Sequence, residues 1–127
     1  MTNVLFVDDN ESQRMIMGEI LESLGFIPIL ASTVDEAKDK FQGPIDLLIT
    51  DWNLDPNERS DGPHAEELCH IALKNGIPVL VRTGTDDTTG RLQKLGEGCT
   101  DDQFRVLSKE LSVAELRTSI LGSRRKE

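Results

Sequence analysis

Asp51 carries the chemistry this sequence points to. It closes an apolar run, Leu47-Leu48-Ile49-Thr50, and is followed by Trp-Asn-Leu instead of more core. An earlier run, Val4-Leu5-Phe6-Val7, ends on a second acidic mark, Asp8-Asp9. Parallel α/β sheets take ligands at the carboxyl ends of their strands. Two buried-type strands that both stop at carboxylates therefore predict one acidic pocket at a sheet edge. Two later runs end in groups of a different kind: Thr83 after Val79-Leu80-Val81-Arg82, and Lys109 after Phe104-Arg105-Val106-Leu107-Ser108.

Three carboxylates brought together repel, each pair by about 4 kcal/mol at about 4 Å and an effective dielectric near 20. Positive charge must compensate, and a divalent cation and Lys109 are the candidates. An oxygen-rich, hydrated site suits Mg2+. A carboxylate beside such a cation can act as a nucleophile toward a phosphoryl group. Thr83 would donate a neutral hydrogen bond to the phosphoryl oxygens, and Lys109 a charged one. Successive strand residues point to opposite faces, so Asp8 and Asp9 share the site only if the strand ends there and the chain turns. Asn10 permits that turn.

The elements that must position these groups alternate along the chain. Strands are predicted at Asn3 to Val7, Ile27 to Ala31, Asp46 to Thr50, Pro78 to Arg82 and Phe104 to Leu107. Pro28 marks the second as an edge strand. Helical spacing runs from Glu11 to Leu24, with Ile16, Met17, Ile20, Leu21 and Leu24 as its apolar positions, and Gly25 stops it. Ser32 and Thr33 can cap a second helix reaching about Phe41, with Glu36 completing a capping box. Gly43-Pro44 ends it. A long polar loop, Asp51 to Gly62, precedes a third helix from Pro63 to Lys74, closed by Asn75-Gly76. A short fourth helix is expected within Asp87 to Leu95, weakened by Gly90. A fifth runs from Val113, capped by Ser112, to Leu121. Alternation of this kind predicts a parallel sheet covered on both faces.

Bulk properties narrow the function. The 127 residues suit one domain, with residues 123–127 expected as a short basic tail after a domain spanning 1–122. A formal charge of −9 disfavours a broad nucleic-acid surface. No apolar stretch approaches the roughly 20 residues that cross a bilayer. The N-terminus lacks the pattern of a signal peptide, so a cytoplasmic setting is expected. Cys69 and Cys99 lack metal-site spacing, and Cys69, in a helical pattern, is expected as a small core residue. His64 and His70 do not share a helix face. Gly84-Thr85-Asp86 with Gly90 lacks the full pattern of a nucleotide-binding loop. Trp52 is read as packing over the loop, and Arg14 and Arg82 as surface charges.

The pieces Val7-Asp8-Asp9, Leu48-Ile49-Thr50-Asp51-Trp52-Asn53-Leu54, Asp61-Gly62, Val81-Arg82-Thr83-Gly84 and Ser108-Lys109 together resemble the receiver domain of two-component response regulators. The resemblance covers nearly the whole chain in order. It implies a doubly wound, flavodoxin-like five-stranded parallel sheet of order 2-1-3-4-5. It implies that Asp51 takes phosphate from a histidine kinase or phosphotransfer protein. Asp9, Asp51 and the backbone carbonyl of Asn53 would hold Mg2+, with Asp8 acting through water. Thr83 and Lys109 would bind the phosphoryl group, while Asn53 and Thr85 would tune its loss.

Three departures stand out. Glu110 replaces the proline usual after the lysine, and a trans bond is expected there. Val106 holds the place of an aromatic residue that swings inward on phosphorylation. The loop after Asp51 is a few residues longer than usual. The expected function is a stand-alone phosphoacceptor switch acting on a downstream protein, with no separate substrate turnover and homodimerisation left open. Two alternatives are a phosphorylation-independent interaction module and an aspartyl-phosphate phosphatase. Asn53 weakens the phosphatase reading, since such enzymes place a second aspartate at that position.

Overall fold

A computed structural model describes residues 2–51, 65–83, 97–98, 103–108, 115 and 117–118. Five strands stand among the described residues: β1 (Asn3–Val7), β2 (Ile27–Ala31), β3 (Leu47–Asp51), β4 (Val79–Thr83) and β5 (Phe104–Ser108). Three helices stand among the described residues: α1 (Glu11–Ser23), α2 (Val34–Lys40) and α3 (Ala65–Lys74). The expected fourth helix lies outside them. Within the expected fifth, Glu115, Arg117 and Thr118 are helical.

All neighbouring strands pair in parallel, in the order β2-β1-β3-β4-β5. Pro28, which cannot donate to a ladder, lies in edge strand β2 as its chemistry requires. Three strands run one residue further than their apolar stretches suggest. Asp51 pairs with Arg82, and Thr83 with Ser108. Backbone pairing thus carries the polar ends of β3, β4 and β5 into the sheet.

Strand alternation divides the interior into two layers. Leu5, Val7, Leu48, Val79 and Val81 face α2 and α3, joining Ala37, Leu68, Cys69 and Ala72. Val4, Phe6, Leu47, Ile49 and Leu80 face α1, joining Met17 and Leu21. Helices therefore cover both faces, as expected of a doubly wound sheet. The buried stripe of α1 is Met17-Gly18-Leu21, with Ile20 and Leu24 packed at its margins. Ile16, expected in that stripe, is 51% exposed, because its position rotates it past the seam toward solvent.

Caps follow the local chemistry. The Asn10 side chain accepts a hydrogen bond from the Gln13 N–H at 3.1 Å and starts α1. Thr33 accepts from the Glu36 N–H at 3.1 Å and starts α2. Glu36 does not close the box as expected; its carboxylate accepts from the Ser32 hydroxyl at 3.0 Å. Gly25 and Gly76 take φ values of 89° and 72° just after α1 and α3, a left-handed turn that glycine makes without steric cost.

Candidate functional site

β1 ends at Val7, and the chain bends through Asp8 and Asp9 before Asn10 caps α1. That bend is held at several points. The Asp8 N–H donates to the Ala31 carbonyl at 3.1 Å, tying it to the end of β2. The Asn10 N–H donates to Asp8 Oδ1 at 2.9 Å, a turn that short acidic side chains favour. Arg14 Nη1 donates to the Asp8 carbonyl at 2.8 Å. Arg14 is thus partly buried and structural, a correction to its reading as a surface charge.

One carboxylate oxygen each from Asp8, Asp9 and Asp51 lie within 4.8 Å of one another. Asp8 and Asp51 are 2% and 4% exposed, whereas Asp9 opens to solvent. The separate ends of β1 and β3 therefore converge on one acidic pocket. The register explains why: Val7 pairs with Thr50, so the residues that follow each lie side by side. The geometry fits a small, hard cation. Opposite ligands of an octahedral Mg2+ stand about 4.2 Å apart, within reach of oxygens clustered this tightly.

Thr83 is the last residue of β4 and pairs with Ser108 at the end of β5, so its backbone lies at the same edge of the sheet. Lys109 and Asn53 lie outside the described residues, as do Thr85, Glu110, Trp52, Cys99 and His64. Val106, at the place of the aromatic switch, is 44% exposed.

Arg82 is the charged residue beside this pocket that sequence reasoning misplaced. It is 9% exposed, not a surface charge. Its guanidinium sits 5.6 Å from the centroid of the Phe6 ring, within the range of a cation–π contact. Burial pulls its pKa down from the ordinary value, while the charges of Asp8 and Asp51 pull it up. Leu80 and Arg82 alternate to the same side of β4, and Leu80 packs in the α1 layer. A charge in a central strand covered on both faces has little access to the surface, a signal legible only with the sheet order in hand.

Cys69, by contrast, lies in the core of α3. Burial, then the nearby Glu66 charge, pushes its thiol far up, so it stays protonated and inert.

No protein-family model matches the chain. Curated relatives do. Response regulator RR06 of Streptococcus pneumoniae is 30% identical over 119 residues, covering 93% of this chain and 52% of that protein. The phosphate regulon transcriptional regulatory protein PhoB of Escherichia coli is 26% identical over 118 residues, covering 90% of this chain and 49% of that protein. The chain thus spans about half the length of each. Among solved structures, response regulator TrrA of Thermotoga maritima, in complex with Mg(2+)-BeF, superposes with a TM-score of 0.72 at 22% identity, covering 95% of this chain and 97% of that one.

The chain therefore has the fold of a CheY-like receiver domain. Its sequence relatives are response regulators of two-component signalling.

Proposed function

We propose that the chain is a phosphoacceptor switch, with Asp51 as the acceptor. The observation that carries this reading is the convergence of Asp8, Asp9 and Asp51 at the carboxyl edge of a receiver-type sheet. Mg2+, held by Asp9 and Asp51 with the Asn53 carbonyl and, through water, Asp8, would neutralise the charge that otherwise keeps a phosphodonor out.

One oxygen of the Asp51 carboxylate attacks phosphorus in line. The bond from phosphorus to the donor nitrogen of a histidine kinase or phosphotransfer protein breaks, and the imidazole keeps that electron pair. Burial of Asp51 keeps bulk water from competing at the acceptor. Thr83 and Lys109 take the roles of neutral and charged donors to the phosphoryl oxygens. Asn53 and Thr85 take the role of tuning the loss of the phosphoryl group. No separate substrate is turned over.

The readout departs from an aromatic switch. Val106 has no ring to swing and a stiff χ1, so the partner senses phosphorylation through other residues. The partner is a downstream protein, and the setting is cytoplasmic. Among the described residues no helix is long and apolar enough to cross a membrane.

Fluoroberyllate binding tests the reading. With Mg2+ present, wild type should gain a saturable change in the fluorescence of Trp52, the residue after Asp51 and the chain's single tryptophan. Asp51→Asn should not. Identical behaviour of the two proteins would refute the acceptor assignment.

A further inference from the structure

We propose that Arg82 is a working part of the acidic pocket: a buried guanidinium that supplies, against Asp8 and Asp51, charge that a divalent cation would otherwise supply alone, and so sets how tightly the pocket takes that cation. The inference rests on the cation-binding half of the proposed function.

Three observations support it. First, β3 and β4 pair Asp51 directly with Arg82, and alternation turns Arg82 toward the α1 side of the sheet. Second, burial lowers the pKa of Arg82, and the charges of Asp8 and Asp51 both work against that lowering. Third, Arg82 is 9% exposed, yet its Nη1 has no hydrogen-bond partner.

A buried donor left without a partner is costly, and a buried cation more so. Packing alone would be served better by methionine or leucine at this position. The neighbouring Phe6 ring supplies only a weak attraction. What holds a guanidinium here is the pocket's negative charge, and the attraction acts in both directions. Arg82 offsets part of the repulsion among Asp8, Asp9 and Asp51 while the pocket holds no metal. It also opposes the entry of a second positive charge, which makes divalent binding weaker than three carboxylates alone would give.

The test is an Mg2+ titration of the full chain, followed by Trp52 fluorescence and, independently, by thermal unfolding. Arg82→Met keeps the bulk and removes the charge. It should bind Mg2+ about tenfold more tightly than wild type, and melt lower without Mg2+ while gaining more from its addition. Arg82→Lys restores a charge and should bring the affinity back toward that of wild type. Arg82→Gln carries the same expectation as Arg82→Met if the methionine variant does not fold.

Equal affinities for wild type and the neutral variants would overturn the role of Arg82 and leave the cation pocket standing. Absence of Mg2+ binding in all of them would overturn the cation pocket itself. Binding in the neutral variants alone would support the role of Arg82 and show that wild type is closed to the metal.

Discussion

Asp51 and Arg82 are paired in register across β3 and β4, and both side chains are buried. Opposite charges at adjacent positions of a central parallel strand pair are unusual, because such strands are covered on both faces and read as nearly continuous apolar runs. Here the pairing falls on the last residue of β3 and the penultimate residue of β4. The sheet thus builds its acidic pocket and a counter-charge from the same backbone ladder.

Removing one carboxylate should separate the pocket's two roles. Asp9→Asn relieves repulsion, so the variant without metal should melt slightly higher than wild type. The same change deletes an oxygen ligand, so Mg2+ affinity should fall by at least about tenfold. Calorimetric titration and thermal unfolding in chelator measure the two effects. A variant that melts lower and binds Mg2+ as tightly as wild type would contradict the arrangement.

Cys69 predicts a pH dependence. Its folded pKa lies above the unfolded value of 9.0, because burial disfavours the thiolate. Above that pH the unfolded chain loses this proton while the folded chain keeps it. The unfolded state then binds fewer protons, and stability falls as pH rises. The contribution is fully present below pH 9.0 and declines above it by about 1.4 kcal/mol per pH unit. Denaturant unfolding of Cys99→Ser and of Cys69→Ala in the same Cys99→Ser background should show the steeper alkaline loss only in the chain that keeps Cys69.

The caps carry a measurable share of stability. Thr33→Ala removes the acceptor for the Glu36 N–H at the start of α2. A loss of about 1 kcal/mol is expected in denaturant unfolding, with no change in slope. An unchanged midpoint would mean that the Ser32–Glu36 hydrogen bond alone holds this end.

Leu48 lies fully buried in β3, between β1 and β4. Leu48→Ala should cost about 2–5 kcal/mol in the same experiment. The value will lie toward the upper end if α2 and α3 cannot move in to fill the space.

Much of this architecture was legible from residue order. Pro28 announced the edge strand, Gly25 and Gly76 the helix stops, and the doublet Asp8-Asp9 the end of β1. The tight cluster with Asp51 follows from those strand ends and the register. Other features were not readable locally. Strand limits moved by one residue because ladder pairing, not apolarity, decides where β3, β4 and β5 end. Glu36 turned to Ser32 because a nearby hydroxyl competed for its carboxylate. Arg82 looked like a surface charge because arginine is mostly exposed. Its place became evident only once β4 was known to be central, with its even-numbered residues facing α1. The alternation Leu80-Arg82 held that information, but reading it required the sheet order first.

The most direct test of the central claim is the intact mass of the chain after incubation with acetyl phosphate, with and without Mg2+. The account predicts the gain of one phosphoryl group in wild type that requires Mg2+, is lost in Asp51→Asn, and maps to the peptide carrying Asp51. A wild-type chain that gains no phosphoryl group, or an Asp51→Asn chain that gains it equally well, would contradict the account.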